Sequence, residues 1–261
     1  MAIVVRPAPC ARFVRTPAGL TTLNRMEEAL NQPHQHRDVR GGGARAAVFG
    51  LSDGLVTNIS LVLGVAGANP GGQIVRLVGI AGLVAGAFSM AAGEYLSMTA
   101  QRELMQRELD VERQSLTQSP EGEANELRGM YVKRGIDPSV ARDMVHEVMQ
   151  DPELALETHA REELGINPEH LGSPVQAALS SFFTFAVGAF IPLLPWLFTK
   201  GNGAIATSVG LSAAAAIAVG FVLAAFTRRP MLRSAFRQLT ITALAAAVTY
   251  GVGRGIGTGL S

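Results

Sequence analysis

The amino-acid sequence predicts an all-α integral membrane protein with five transmembrane helices and a helical cytosolic metal-binding domain inserted between the second and third. Three observations carry that expectation. Five apolar runs reach or approach the ~20 residues that an α-helix needs to cross a bilayer. Charge is segregated: of 21 acidic residues, 16 lie between Thr99 and Gly172, against eight Lys and Arg in the same stretch. Asp53 and Glu94 interrupt apolar runs, where insertion scales charge about 2.5 to 3.5 kcal/mol for an acid at mid-membrane, so each marks a functional site by default.

Residues 1–43 mix Pro, Arg, Gln and His without periodicity and end in Gly41-Gly42-Gly43, the composition of a mobile cytosolic arm. Its opening stretch lacks the apolar core and cleavage site of a secretory signal. His34, His36 and Asp38 read as a solvated group sooner than as metal ligands. Cys10 is the single cysteine, so neither a disulfide framework nor a Cys-based metal site is available.

Residues 44–98 hold the first two spans, over 46–68 and 74–98, joined by the turn-forming Asn69-Pro70-Gly71-Gly72. The second run passes without a breaker into the charged stretch 101–116, which predicts one long helix leaving the bilayer. Asp53 lies about eight residues into the first span and Met90 about eight from the end of the second, so an antiparallel pair places them at one depth. Glu94 follows Met90 by four positions, on the same face and one turn nearer the mouth. Asn58 either completes this site or bridges two helices.

Residues 99–172 read as a wholly helical acidic domain. Ser119-Pro120-Glu121, Asp137-Pro138 and Asp151-Pro152 each give a capping residue before a proline at the first helical position, while Gly135 and Gly165 mark stops. Within it Glu108 and Glu112, Glu123 and Glu126, then Glu162 and Glu163 beside His159 recur at helical spacing. Carboxylates with one imidazole suit divalent first-row ions such as ferrous iron or manganese. A solvated acidic face is the plainer alternative.

Residues 173–261 supply three more spans, over 175–198, 204–226 and 239–257. Pro192 and Pro195 predict a kink in the first of them. Gly50-xxx-Gly54 and Gly82-xxx-Gly86 allow close helix contact, within the chain or between subunits. Arg37, Arg40 and Arg45 before the first span, with Arg228, Arg229, Arg233 and Arg237 between the fourth and fifth, place the N-terminus and acidic domain in the cytosol and the C-terminus opposite.

Gly50-Leu-Ser-Asp-Gly-Leu, the run Ala85-Gly-Ala-Phe-Ser-Met-Ala-Ala-Gly-Glu-Tyr-Leu, Arg107-Glu-Leu, Glu123-xx-Glu126, Glu163-Leu-Gly and Ile191-Pro-Leu-Leu-Pro, in this order, resemble the vacuolar iron transporter family. The resemblance covers about 46–198 by motif and the last two spans by hydropathy alone. It implies a five-helix membrane protein, usually a homodimer, exchanging ferrous iron or manganese for protons. Asp53 and Met90 match the family's intramembrane aspartate and methionine; Glu112, Glu123, Glu126 and Glu163 match its cytosolic metal-binding glutamates. The chain departs from the pattern at Gly82 and Ser115, where relatives carry glutamates, and at His159 and Ala160, in place of a methionine pair.

The expected function is therefore transport of ferrous iron or manganese out of the cytosol against protons. Asp53, Asn58, Met90 and Glu94 line the membrane path, and Glu108, Glu112, Glu123, Glu126, His159, Glu162 and Glu163 collect the metal outside it. The expected partners are metal ions, protons, lipid and a second copy, with no prosthetic group, no nucleic acid and no enzymatic activity. No Walker loop or Gly-rich phosphate cradle appears, which argues against coupling to ATP. A membrane-anchored ferroxidase or a metal-storage or sensing protein is the alternative; the Glu-x-x-His pairs of ferritin-like sites are missing.

Overall fold

A computed structural model describes residues 42–69, 71–169 and 171–259; the N-terminal arm, with Cys10, His34, His36 and Asp38, lies outside them. The chain order is α1 (Gly42–Gly67), α2 (Gly72–Gln118), α3 (Pro120–Lys133), α4 (Pro138–Val148), α5 (Pro152–Glu162), α6 (Pro174–Phe198), α7 (Gly201–Thr227) and α8 (Met231–Gly259). No strand occurs among the described residues. Five of these helices, α1, α2, α6, α7 and α8, are long and apolar enough to cross a membrane.

Helix α1 is the hub of this bundle. It packs most extensively on α6 and also touches α2, α7 and α8. Small residues set that closeness: a Cβ on Gly54 would stand 2.9 Å from the Phe185 carbonyl carbon, and one on Gly188 2.9 Å from the Leu55 amide nitrogen. Gly82 and Gly86 of α2 likewise meet Asn58 and Phe185 of the same chain. The glycine pairs seen in the sequence thus serve contacts within one chain. Large apolar side chains such as Leu77, Phe88, Phe183, Val187, Leu244 and Val252 are exposed on the outside, the distribution expected of helices that face lipid instead of water.

One boundary differs from expectation. The last span starts at Met231, eight residues before Leu239, because Arg233 and Arg237 are accommodated within the first turns of α8. Pro192 and Pro195 lie inside α6 without ending it. Tertiary contacts support that segment: Ser208 Oγ of α7 donates to the Pro192 carbonyl at 2.6 Å, and Pro192 itself is buried.

Helix α2 runs unbroken for 47 residues. At ~1.5 Å per residue such a helix is about 70 Å long, more than twice the ~30 Å hydrocarbon thickness. Its apolar part ends near Met98, and the stretch carrying Glu108 and Glu112 continues the same helix with charged residues. There α3 and α5 pack on it, and α3, α4 and α5 on one another, around a core of Leu127, Tyr131, Ala141 and Val145. Asp137 Oδ1 accepts from the Ser139 amide and Asp151 Oδ1 from the Glu153 amide, so both aspartates cap their helices as the sequence predicts. Ser119 precedes α3 without a side-chain capping bond. Gly135 and Gly165 adopt left-handed backbone, with φ of 93° and 65°, which stops α3 and the turn after α5.

Candidate metal centre

The insert gathers four side chains from three helices at one point. Glu112 comes from the far end of α2, Glu123 from the first turn of α3, and His159 and Glu163 from the last turn and C-cap of α5. One ligand atom from each lies within 4.8 Å of the other three. An ion with bonds of ~2.1 Å spaces its ligand atoms about 3 to 4 Å apart, so small closing movements suffice.

His159 is wholly buried, and its Nδ1 lies 3.1 Å from Glu112 Oε1, 3.8 Å from Glu123 Oε2 and 3.9 Å from Glu163 Oε2. Both imidazole nitrogens and Glu112 Oε1 are buried without a hydrogen-bond partner. Buried polar atoms are nearly always paired, so three orphans at one point fit a cation. Burial first, then the charges of Glu163, Glu123 and Glu126, push the Glu112 carboxyl up to about 7. Glu163 is also raised, mainly by burial and then by Glu126, while His159 opposes the shift. The cluster has an excess of negative groups that a dication would neutralise.

The remaining acids expected at this site have other positions. Glu126 is exposed on α3 and acts on Glu112 and Glu163 through its charge, without joining the four ligand atoms. Glu162 forms an ion pair with Arg134. Glu108 is half-buried one turn before Glu112 and also contributes no atom to the four.

Within the bundle, Asp53 is half-buried and accepts a 3.4 Å hydrogen bond from Thr57 Oγ1. That face of α1 continues through Thr57, Ser60 and Gly64 along an open groove of about 800 Å³ that Thr249 and Gly253 of α8 also line. Met90 packs against Phe185, Ala87 and Ala189. Asn58 faces α6: its Nδ2 donates to the Ala189 carbonyl at 2.5 Å, and its Oδ1 is buried without a partner. Five residues separate Asn58 from Asp53, about 140° around the helix at ~100° each, which puts it on a different face. The bond to Ala189 bridges α1 to α6. Glu94, only 13% exposed at its side chain, is ion-paired to Arg45 Nη2 at 2.9 Å.

Two polar contacts near these residues were not anticipated. Gln238 of α8 donates to Ser52 Oγ at 2.7 Å, directly beside Asp53, and is buried. A lone amide just ahead of an apolar run was its only signal. Arg45 counted in the sequence only as one more orienting charge; its partner lies 49 residues away.

A sequence profile described as the VIT family matches residues 44–254. The vacuolar iron transporter of Acanthamoeba castellanii is 38% identical over 223 residues, covering 84% of this chain and 81% of that protein. Vacuolar iron transporter 1 of Oryza sativa subsp. japonica is 31% identical over 238 residues, covering 89% and 94%. Vacuolar iron transporter 1 of Arabidopsis thaliana is 33% identical over 226 residues, covering 86% and 90%.

Proposed function

Because the chain belongs to the VIT family and is a multi-pass membrane protein, we propose that it carries ferrous iron or manganese out of the cytosol in exchange for protons. One observation carries this reading: the helix that bears Met90 and Glu94 within the bundle is the same unbroken helix that bears Glu112 in the four-residue cluster. A metal collected outside the bilayer is thereby held on the rigid extension of the span it must next traverse. The names of the relatives support iron as cargo.

Capture begins at Glu112, Glu123, His159 and Glu163. A carboxyl poised at about 7 gives up its proton as a dication binds. The imidazole supplies a nitrogen donor that hard ions such as calcium and magnesium do not favour. The ion then passes to Glu94, Met90 and Asp53, where the thioether again disfavours hard ions. In the low-dielectric interior an uncompensated carboxylate is costly, so each acid exchanges one cation for another and metal flux is tied to proton flux. The arginines that flank the first and fifth spans put the insert on the cytosolic side. A second copy packed on the membrane face completes the assembly in this reading.

Uptake into proteoliposomes holding an interior pH dye tests the proposal, with ferrous iron or manganese added under an imposed proton gradient. Metal entry matched by proton movement in the wild type, and lost in Asp53→Ala, is the expected result. Metal binding without passage would leave the insert as the active part and turn the protein into a storage or sensing device.

A further inference from the structure

The mouth of the membrane path on the insert side is closed by two layers of named side chains. The inner layer is the Arg45–Glu94 ion pair, which links the first turn of α1 to α2 at 2.9 Å. Glu94 stands one helical turn beyond Met90, between it and the insert. The outer layer is a buried cluster of Ala46, beside Arg45, Met98, one turn beyond Glu94, and Ala177 of α6. The bend leading into α6 seals it, since Gly172 lies against the Met98 methyl. The Gly43 carbonyl, accepting from Ser180 Oγ at 3.0 Å, pins the start of α1 to α6.

The two charges are unequally placed. Glu94 is sunk into the mouth with 13% of its side chain exposed, whereas the Arg45 side chain is 69% exposed. The guanidinium therefore reaches in from outside to neutralise a carboxylate that has little water. An ion pair with one partner so exposed is weak enough for a dication to displace.

We infer that Arg45 is a cationic latch on the entrance, holding Glu94 until an arriving metal ion displaces it. This rests on the transport reading above. The latch keeps Glu94 neutralised between ions, so the mouth need not collect another cation while the site is empty. It also makes metal and guanidinium competitors for one carboxylate. Removing the guanidinium must then make the metal bind better at the entrance, the opposite of what loss of a structural strut does.

Manganese uptake into proteoliposomes by the full chain separates the two, measured as KM for wild type, Arg45→Gln, Glu94→Gln and the double variant, with thermal unfolding as a check on folding. The expected result is a KM for Arg45→Gln that falls about fivefold, the upper end of what a partly exposed pair contributes. The same substitution in the Glu94→Gln background should leave KM unchanged, because no carboxylate remains to compete for. Arg45→Lys, which keeps the charge and loses the planar fork, should fall about twofold, and it serves if Arg45→Gln does not fold. An unchanged or raised KM in Arg45→Gln or Arg45→Lys overturns the latch while leaving transport intact. A wild type that moves neither manganese nor ferrous iron overturns the transport reading itself.

Discussion

His159 and Glu112 face each other inside the helical insert, with Nδ1 3.1 Å from Oε1, and none of the imidazole nitrogens or that oxygen has a hydrogen-bond partner. An apolar residue in place of the imidazole would suit this pocket better in the absence of a cation. Replacing His159 by Leu should therefore leave the metal-free protein as stable as the wild type or more so, because an unsatisfied buried group is removed. Metal affinity of the insert should fall at least about tenfold, since perturbing even the surroundings of a metal ligand costs that much. Thermal unfolding and a manganese titration, run on the same preparation, give both quantities. A loss of stability with affinity retained would show His159 to be core alone.

Substitution of the acids should sort them by position. Glu112→Gln, at the buried centre, should weaken manganese binding by more than about tenfold, by the same reasoning as for a lost ligand. Glu126→Gln removes only a charge acting from an exposed site and should cost about two- to fivefold, within the range of a screened charge pair. Glu162→Gln, whose carboxylate is engaged by Arg134, should leave affinity unchanged. A Glu162 effect as large as that of Glu112 would place the metal elsewhere in the insert.

Glu112 also sets the pH response. Its carboxyl rises from an ordinary 4.5 to about 7 in the folded protein, so the folded state holds this proton more tightly than the unfolded chain. The stability that this contributes is full below 4.5 and shrinks as pH rises through about 7. The metal-free protein should lose unfolding temperature between those limits, and Glu112→Gln should flatten the slope. Metal affinity runs the other way, climbing by up to about tenfold per pH unit for each proton displaced and levelling above neutrality. Affinity independent of pH between 5.5 and 8 would remove Glu112 from the ligand set.

The contact of α1 with α6 leaves no room for a side chain at Gly54 or Gly188, where an added Cβ meets the opposing backbone at 2.9 Å. Gly54→Val should destabilise the bundle by about 1 to 3 kcal/mol, the usual cost of overpacking. Its effect should be larger than that of Gly251→Val, where nothing lies within 4 Å. Unfolding of the detergent-solubilised protein orders the two variants. Equal losses would mean that helix propensity governs them and not contact with α6.

Hydropathy and capping residues by themselves determined the helices of this protein. Five spans, the unbroken passage of α2 out of the bundle, and the prolines opening α3, α4 and α5 depend on neighbours within a turn or two, and those are written in order along the chain. Asp53, Met90 and the group Glu112, Glu123, His159 and Glu163 could be nominated in the same way, because acids in an apolar run and acids with an imidazole at helical spacing are local patterns. Only the tertiary structure decided which of the nominated residues meet. Glu162 and Glu163 are adjacent in sequence, yet one turns to Arg134 and the other to His159, since successive side chains on a helix point about 100° apart. Asn58 went to the Ala189 carbonyl, Gln238 to Ser52 and Arg45 to Glu94, over separations of 131, 186 and 49 residues. Such pairings follow from how helices are rotated against one another, and that rotation is set by whole packed faces, with glycines such as Gly54 and Gly188 fixing how near two backbones come.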